Sequence, residues 1–417
     1  MKRLLTLMAT VTIAFFTCVC NANPEPAFEG ALGFGQFTQG GTGGKRYVVS
    51  SLADDPQHPQ PGTLRYAVKQ KGPRVVEFSV SGIIHLKAEL EIKHDYITIN
   101  GQSSPGGIVV TGAQTAIKAS QVIIRYMRFR PGHWQQEGDA LTARGQQHIM
   151  IDHCSLSWAN DEVASFYNNR WFTLQHSIIS ESLKEAGHHK GSHGYGGIWG
   201  GASASFIRNV IAHHDSRNPR INGYRLKAPY TQPEELTDIR NNVIFNWGDN
   251  SGYGAEGSQF NLVNNYYIPG PASQDRYFFQ FWSKPDVPEA RAYVAGNVMI
   301  TEPDFEQNNR RGLVVKNQKK LDDNAVNALL KSTLTEHPFA TFESGTLSAY
   351  GAYQMLIERA DVGANRNAKG AFQDSVDTRI INEISTRKPT HNNGLINSEL
   401  TVLGPEGWAN YAKEFTR

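Results

Sequence analysis

Apolar residues recur along this chain in short runs, and from residue 124 onward the runs repeat one shape. Seven six-residue segments open on an apolar residue and carry another five places on: IRYMRF from Ile124, IDHCSL from Ile151, LQHSII from Leu174, FIRNVI from Phe206, IRNNVI from Ile239, LVNNYY from Leu262 and VAGNVM from Val294. Their starts lie 27, 23, 32, 33, 23 and 32 residues apart. The lead-in is usually an alternating or wholly apolar run such as HIMI or WFTL, which reads as a strand. Three places after the start stand Asn209, Asn242, Asn265 and Asn297 in four segments, with Cys154 and Ser177 in two more. Asparagine accepts the left-handed backbone of a sharp bend, and stacked amides hydrogen-bond along a cross-β direction. Units of this length cannot bury an apolar face alone, so they stack. The pattern predicts an all-β fold, a right-handed parallel β-helix, with loops of unequal length between coils.

Upstream, RVVEFSVSGIIHL, YITINGQ and GIVVTG read as earlier coils of short strands punctuated by glycine. The C-terminal part changes period. TLSAYGAYQMLIERA and DSVDTRIINEI have helical spacing, and in the second Asp374 is placed to cap a helix whose Val376, Ile380 and Ile384 recur every four residues. This segment, about 345–417, is expected to cap the solenoid or pack along it. No linker separates it, so residues 23–417 are expected to form a single domain.

The first 22 residues read as a secretion signal: Lys2 and Arg3, an apolar run from Leu4 to Val19, then CNA. The run is short for a membrane span. Without Lys2 and Arg3 the basic and acidic residues are equal at 39 each, so a global basic field for nucleic acid is excluded. Any polyanion must meet a local patch. Cys18 and Cys20 leave with the signal and Cys154 stands alone, which rules out an internal disulfide. The expectation is an exported monomer, extracellular or periplasmic, without a membrane anchor.

Candidate chemistry concentrates at three places. In QEGDAL, Glu137 and Asp139 are two apart, so on an extended strand they share a face, roughly 6.5–7 Å apart. In ANDEVA, Asp161 and Glu162 follow one coil later, and coils stack about 4.8 Å apart. Four converging carboxylates repel unless a cation joins them, and oxygen-only ligands suit Ca²⁺; solvated loop acids are the alternative. The third place is HHDSRNPRING, where Arg217 and Arg220 flank the stiff Pro219, with Arg208, His213, His214, Arg225 and Lys227 around them. Lys184, His188, His189, Lys190 and His193 precede it by one coil. Stiffly held guanidinium groups either recognise a carboxylate or pair with acids of a neighbouring coil. His153 and His176 occupy matching places in successive repeats and read as stacked structural residues, since no His/Cys spacing suggests zinc.

GFGQFTQGG, GTLRYAV, ITINGQSSPGG, IIRYMRFRPG, IMIDHCSLSWANDE and SRNPRI together resemble the pectate lyases of polysaccharide lyase family one, from about Gly33 to VDTRIINEI. The resemblance implies a right-handed parallel β-helix, extracellular action, and Ca²⁺-dependent β-elimination in α-1,4-linked polygalacturonate of the plant cell wall. It implies that Arg217 is the base that removes the C5 proton, that Glu137 and Asp139 are one pair of calcium ligands, and that Asp161 and Glu162 lie near the second pair. Lys190 corresponds to a substrate-binding lysine. Asn222 stands where members often have a further arginine, so part of substrate binding passes to Arg220 or Arg225. Because a guanidinium holds its proton to above about pH 12, an arginine base predicts an alkaline optimum. Two other classes remain open: a hydrolase using Glu137 and Asp139 as acid and base, at roughly 6.5–9.5 Å, and a non-catalytic polysaccharide-binding β-helix.

Overall fold

The structure, a computed structural model, describes residues 25–134, 137–317, 320–342, 345–404 and 406–416. The expected signal segment, with Cys18 and Cys20, lies outside the described residues. The chain winds into a right-handed parallel β-helix with three faces. Strands of the first face begin with Lys45–Val49, Arg74–Phe78 and Ile97–Asn100, each pairing in parallel with the next. The second face is a nine-stranded parallel sheet from Gly82–His85 to Val298–Met299. The third runs from Leu90–Ile92 to Leu313–Val315 and merges with the first into one seventeen-stranded sheet, because the long strands Ala164–Gln175 and Ile198–Ile207 bend across both.

Each six-residue repeat turns the corner from the first face to the second. The asparagine column forms the expected ladder: Asn209 Nδ2 donates to Asn242 Oδ1 (3.1 Å), Asn242 to Asn265 (2.9 Å), and Asn265 to Asn297 (2.9 Å). All four are fully buried. The left-handed residue, however, is the one before the column: Tyr126, His153, His176, Arg208, Asn241 and Asn264 have φ between 47° and 57°. The bend needs one residue to reverse the chain and the next to turn its amide inward. Stacking, not backbone conformation, therefore selects the buried asparagines.

Inside the tube, side chains stack by layer; Phe166, Phe172, Phe206 and Trp199 form one column with centroids 4.3–5.3 Å apart. The ends are covered by two short helices. Leu64–Lys69, capped by Thr63, buries Leu64, Ala67 and Val68 at one end. Asp323–Thr333, capped by Asp322, buries Val326 and Leu330 at the other.

The C-terminal segment packs along the coil. Second-face strands send alternate residues in and out, so Ile179 and Ile211 enter the core while Ile178 and Val210 point outward. Those outward residues are covered by Leu356, Ile357, Ile380 and Ile384, which explains why both alternations are apolar in these strands. The helix Ser375–Thr386 begins at Asp374, whose side chain accepts the Val376 and Asp377 N–H groups. The same carboxylate pairs with the buried Arg128 and Arg130, and Asp377 holds Arg130 at 2.6 Å.

Candidate active site

Four consecutive connections from the second face to the third, 130–140, 158–163, 181–197 and 213–219, carry the candidate residues. Backbone pairing stacks them: the Asp161 N–H donates to the Gly138 carbonyl, Tyr195 N–H to Asp161, and Gly196 N–H to Ser216. The packing is close at Gly196, where a Cβ would lie 2.5 Å from the Arg217 carbonyl oxygen. Adjacent glycines in HGYGG thus let the Arg217 coil sit tight against its neighbour.

The carboxylates of Asp139, Asp161 and Glu162 bring oxygens within 4.8 Å of one another. Asp139 is buried and accepts the Glu162 N–H (3.1 Å). Burial, and next the Asp161 charge, push its carboxyl up to about 8. Three acids crowded until one holds a proton fit a hard divalent cation, which would replace that proton with oxygen coordination. Into the same patch comes Arg217, whose guanidinium pairs with Glu162 and lies 4.2 Å from the centroid of the Tyr195 ring.

Glu137 departs from the expected pairing with Asp139. Residues 137–139 lie outside any strand, with Gly138 at φ 147°, so the alternation that would put the two side chains on one face does not apply. Glu137 is exposed and held by His189 (2.6 Å), which lowers its pKa. His188 stands between the two acidic groups, its Nε2 3.4 Å from Glu137 and 3.6 Å from Asp161. Its Nδ1 accepts the Lys190 N–H (3.1 Å), which turns Nε2 toward the acids. The acid–base pair that a hydrolase would need from Glu137 and Asp139 is not assembled, because one is exposed on histidine and the other buried among carboxylates.

The cation cluster is thinner than its sequence suggests. Arg220 is buried and gives two hydrogen bonds to Glu256 (2.7 and 3.0 Å), so the expected substrate contact is replaced by pairing with the next coil. His214 bridges Ser182 and the Ile179 carbonyl and is neutral, pushed down to about 3 by burial. Arg208 lies at the opposite corner, bonded to Gly345 (2.7 Å), and Lys184 is held by Asp215 (2.9 Å). Asn222 is buried against Asn168. Lys190 is exposed, and Arg225 is half-buried with no ion pair among the described residues. Burial first, then Arg220 and Arg217, lower the Arg225 pKa, so these three guanidinium groups are neighbours. His153 and His176 stack at 4.7 Å, as expected of structural residues.

No family model matches the chain. It is similar to the "Probable pectate lyase C" of Aspergillus fumigatus, 30% identical over 390 residues that cover 91% of this chain and 81% of the relative. The protein of the same name in Aspergillus flavus is 37% identical over 256 residues, 59% of this chain. The chain spans 55% and 54% of the first two curated relatives it matches. Among solved structures, the cedar pollen allergen jun a 1 aligns with a TM-score of 0.56 at 19% identity, covering 80% of this chain and 92% of the allergen. The thermostable pectate lyase PL 47 aligns at 0.53 and 14%, covering 81% and 97%. The Bacillus sp. N165 pectate lyase in complex with trigalacturonate aligns at 0.51 and 13%, covering 80% and 99%.

Proposed function

The chain belongs to the pectate lyase family, and on that premise we propose that it cleaves α-1,4-linked polygalacturonate by β-elimination with the help of Ca²⁺. The observation that carries the reading is the meeting of the Arg217 guanidinium with Glu162 beside Asp139 and Asp161, which sets a candidate base next to a cation-binding oxygen set. Asp139, Asp161 and Glu162 would hold the ion; Glu137 reaches the patch through His188. Bound there, Ca²⁺ supplies Lewis-acid neutralisation of a uronate carboxylate.

The protein's own side chains do the rest. Arg217, as free base, takes the C5 proton. The C–H electron pair becomes the C4=C5 double bond, and the C4–O pair leaves with the departing sugar oxygen, which acquires a proton. A guanidinium holds its proton in water to above about pH 12, so the reaction should favour alkaline conditions. Lys190 and Arg225 receive uronate carboxylates, where fixed cations stabilise charge as it builds on the substrate. This donor set favours unesterified galacturonate, a polymer met outside the cell, in keeping with the leader-like first 22 residues.

The test is digestion of polygalacturonate followed by near-ultraviolet absorbance, with Ca²⁺ and with EGTA. Elimination gives a conjugated, absorbing product that EGTA abolishes. New reducing ends without absorbance mean hydrolysis, binding without shortening means a lectin-like role, and either overturns the reading.

A further inference from the structure

The third face continues past the site for three more coils, and it carries cations that form no ion pair among the described residues. Parallel register aligns Ile221, Gly254, Phe281 and Val315, so the next residues, Asn222, Ala255, Trp282 and Lys316, follow one another at the exits of successive strands. At about 4.8 Å per coil, Lys316 lies some 14 Å along the axis from Asn222. Its ammonium sits 3.3 Å from the centroid of the Trp282 ring, which Tyr253 (4.8 Å) and the Arg220 guanidinium (4.9 Å) also approach. A four-carbon lysine stem is ordinarily free to sample solvent; an indole face fixes its charge without neutralising it. Lys316 is exposed, and neither it nor Arg225 forms an ion pair among the described residues. Lys284 adds a third positive charge, its Nζ 3.4 Å from the Arg225 carbonyl.

We propose that Arg225 and Lys316, the latter positioned by Trp282, bind further carboxylates of the same polyuronate strand, so that the polymer lies along the third face toward the C-terminal coils. The occupant follows from charge complementarity and from continuity with the Arg217 patch: regularly spaced carboxylates match cations on a regularly spaced solenoid. The inference rests on the proposed function for the identity of the polymer. Asn222 is buried and has no charge to offer, so charge for this column is supplied three coils later by Lys316.

The test uses the full chain, with Lys316→Ala, Lys316→Arg and Trp282→Leu. Turnover of long polygalacturonate and of trigalacturonate is compared, and hexagalacturonate binding is measured by calorimetry in EGTA. For Lys316→Ala the long polymer's KM should rise about 5- to 10-fold with kcat within about two-fold, the signature of lost uniform binding. Trigalacturonate kinetics should not move, and Lys316→Arg should restore the KM. Trp282→Leu should weaken hexagalacturonate binding in the same direction while Lys316 is intact. Unchanged KM and calorimetric affinity in Lys316→Ala, or equal losses on long and short substrates, overturn this inference. A wild-type chain that makes no unsaturated product sinks the proposed function instead, while the calorimetry still reports on the subsite.

Discussion

Arg217 has a left-handed backbone (φ 61°), uncommon for a residue with a side chain, and this aims its guanidinium at Glu162. Lysine at this position keeps a positive charge but loses the planar fork and the reach. Arg217→Lys should therefore lower kcat on polygalacturonate by about 100- to 1,000-fold with KM little changed, as expected of a lost proton-transfer group; full activity with a mildly acidic optimum would remove Arg217 from the role of base. Asp139 sets a second pH dependence. Its carboxyl holds a proton to about 8, and a cation must displace it, so Ca²⁺ affinity should rise with pH up to that value and then level off. Calorimetric titration at pH 6, 7, 8 and 9 checks this, and a flat affinity would contradict it. The Arg217, Asp161 and Glu162 grouping was legible from motif and coil spacing. The fate of Glu137 was not, because the two-residue spacing shares a face only on a strand and residues 137–139 lie outside any strand. Pairing of Arg220 with an acid of a neighbouring coil was an open alternative, but that the acid is Glu256, 36 residues further along the chain, was not legible. Tyr195 was missed altogether; its signal lay in the HGYGG run.

Among the elements, the corner ladder carries the most concentrated polar chemistry of the fold. Asn242 links three coils: it receives Asn209, donates to Asn265, and gives its second N–H to the Phe206 carbonyl (3.0 Å). Alanine there takes the acceptor from the Asn209 backbone and side-chain N–H groups and one donor from Asn265, all buried. The expected cost is about 2–4 kcal/mol, read as a lowered urea midpoint, and Asn242→Asp should also destabilise, since a carboxylate cannot donate to Asn265. Repeats this strong make the architecture readable from the sequence. What the repeats concealed was which residue of the bend turns left-handed, because Tyr, His, Arg and Asn all fill that place. There the surrounding strands impose the conformation over intrinsic preference.

At the scale of the molecule, the C-terminal segment is tied to the solenoid by ionisable groups as well as apolar ones. His153 is largely shielded from water, which alone would lower its pKa, but Asp152 and then Asp361 of the C-terminal segment raise it to about 9. Its stacked neighbour His176 is driven down to about 4 by burial and by that charge. Since the folded value of His153 exceeds the unfolded value of about 6.5, its stabilisation is complete below that pH and disappears as pH rises through about 9. His153→Gln should cost about 2–3 kcal/mol at pH 6 and little at pH 10, measured by unfolding midpoints at both. An equal loss at both pH values would assign the effect to packing alone. The helical spacing and Asp374 cap of this segment were plain in the sequence. Of its two expected placements, over an open end or along the coil, the structure shows the second, and the doubled apolar residues of strands such as Ile178–Ser180 and Val210–Ala212 are its sequence signal.

A screw thread whose pitch is locked at one corner leaves the opposite edge free to vary. Amides from Asn209 to Asn297 fix that corner, whereas the segments bearing Glu137, Lys190 and Arg217 differ in length from turn to turn without disturbing it. A single residue inserted just before Asn242 would misalign every later rung. The same residue added in the exposed run 189–192 would lengthen a loop without shifting a rung. Libraries that retune polymer preference should thus randomise length on that edge alone and leave the corner untouched.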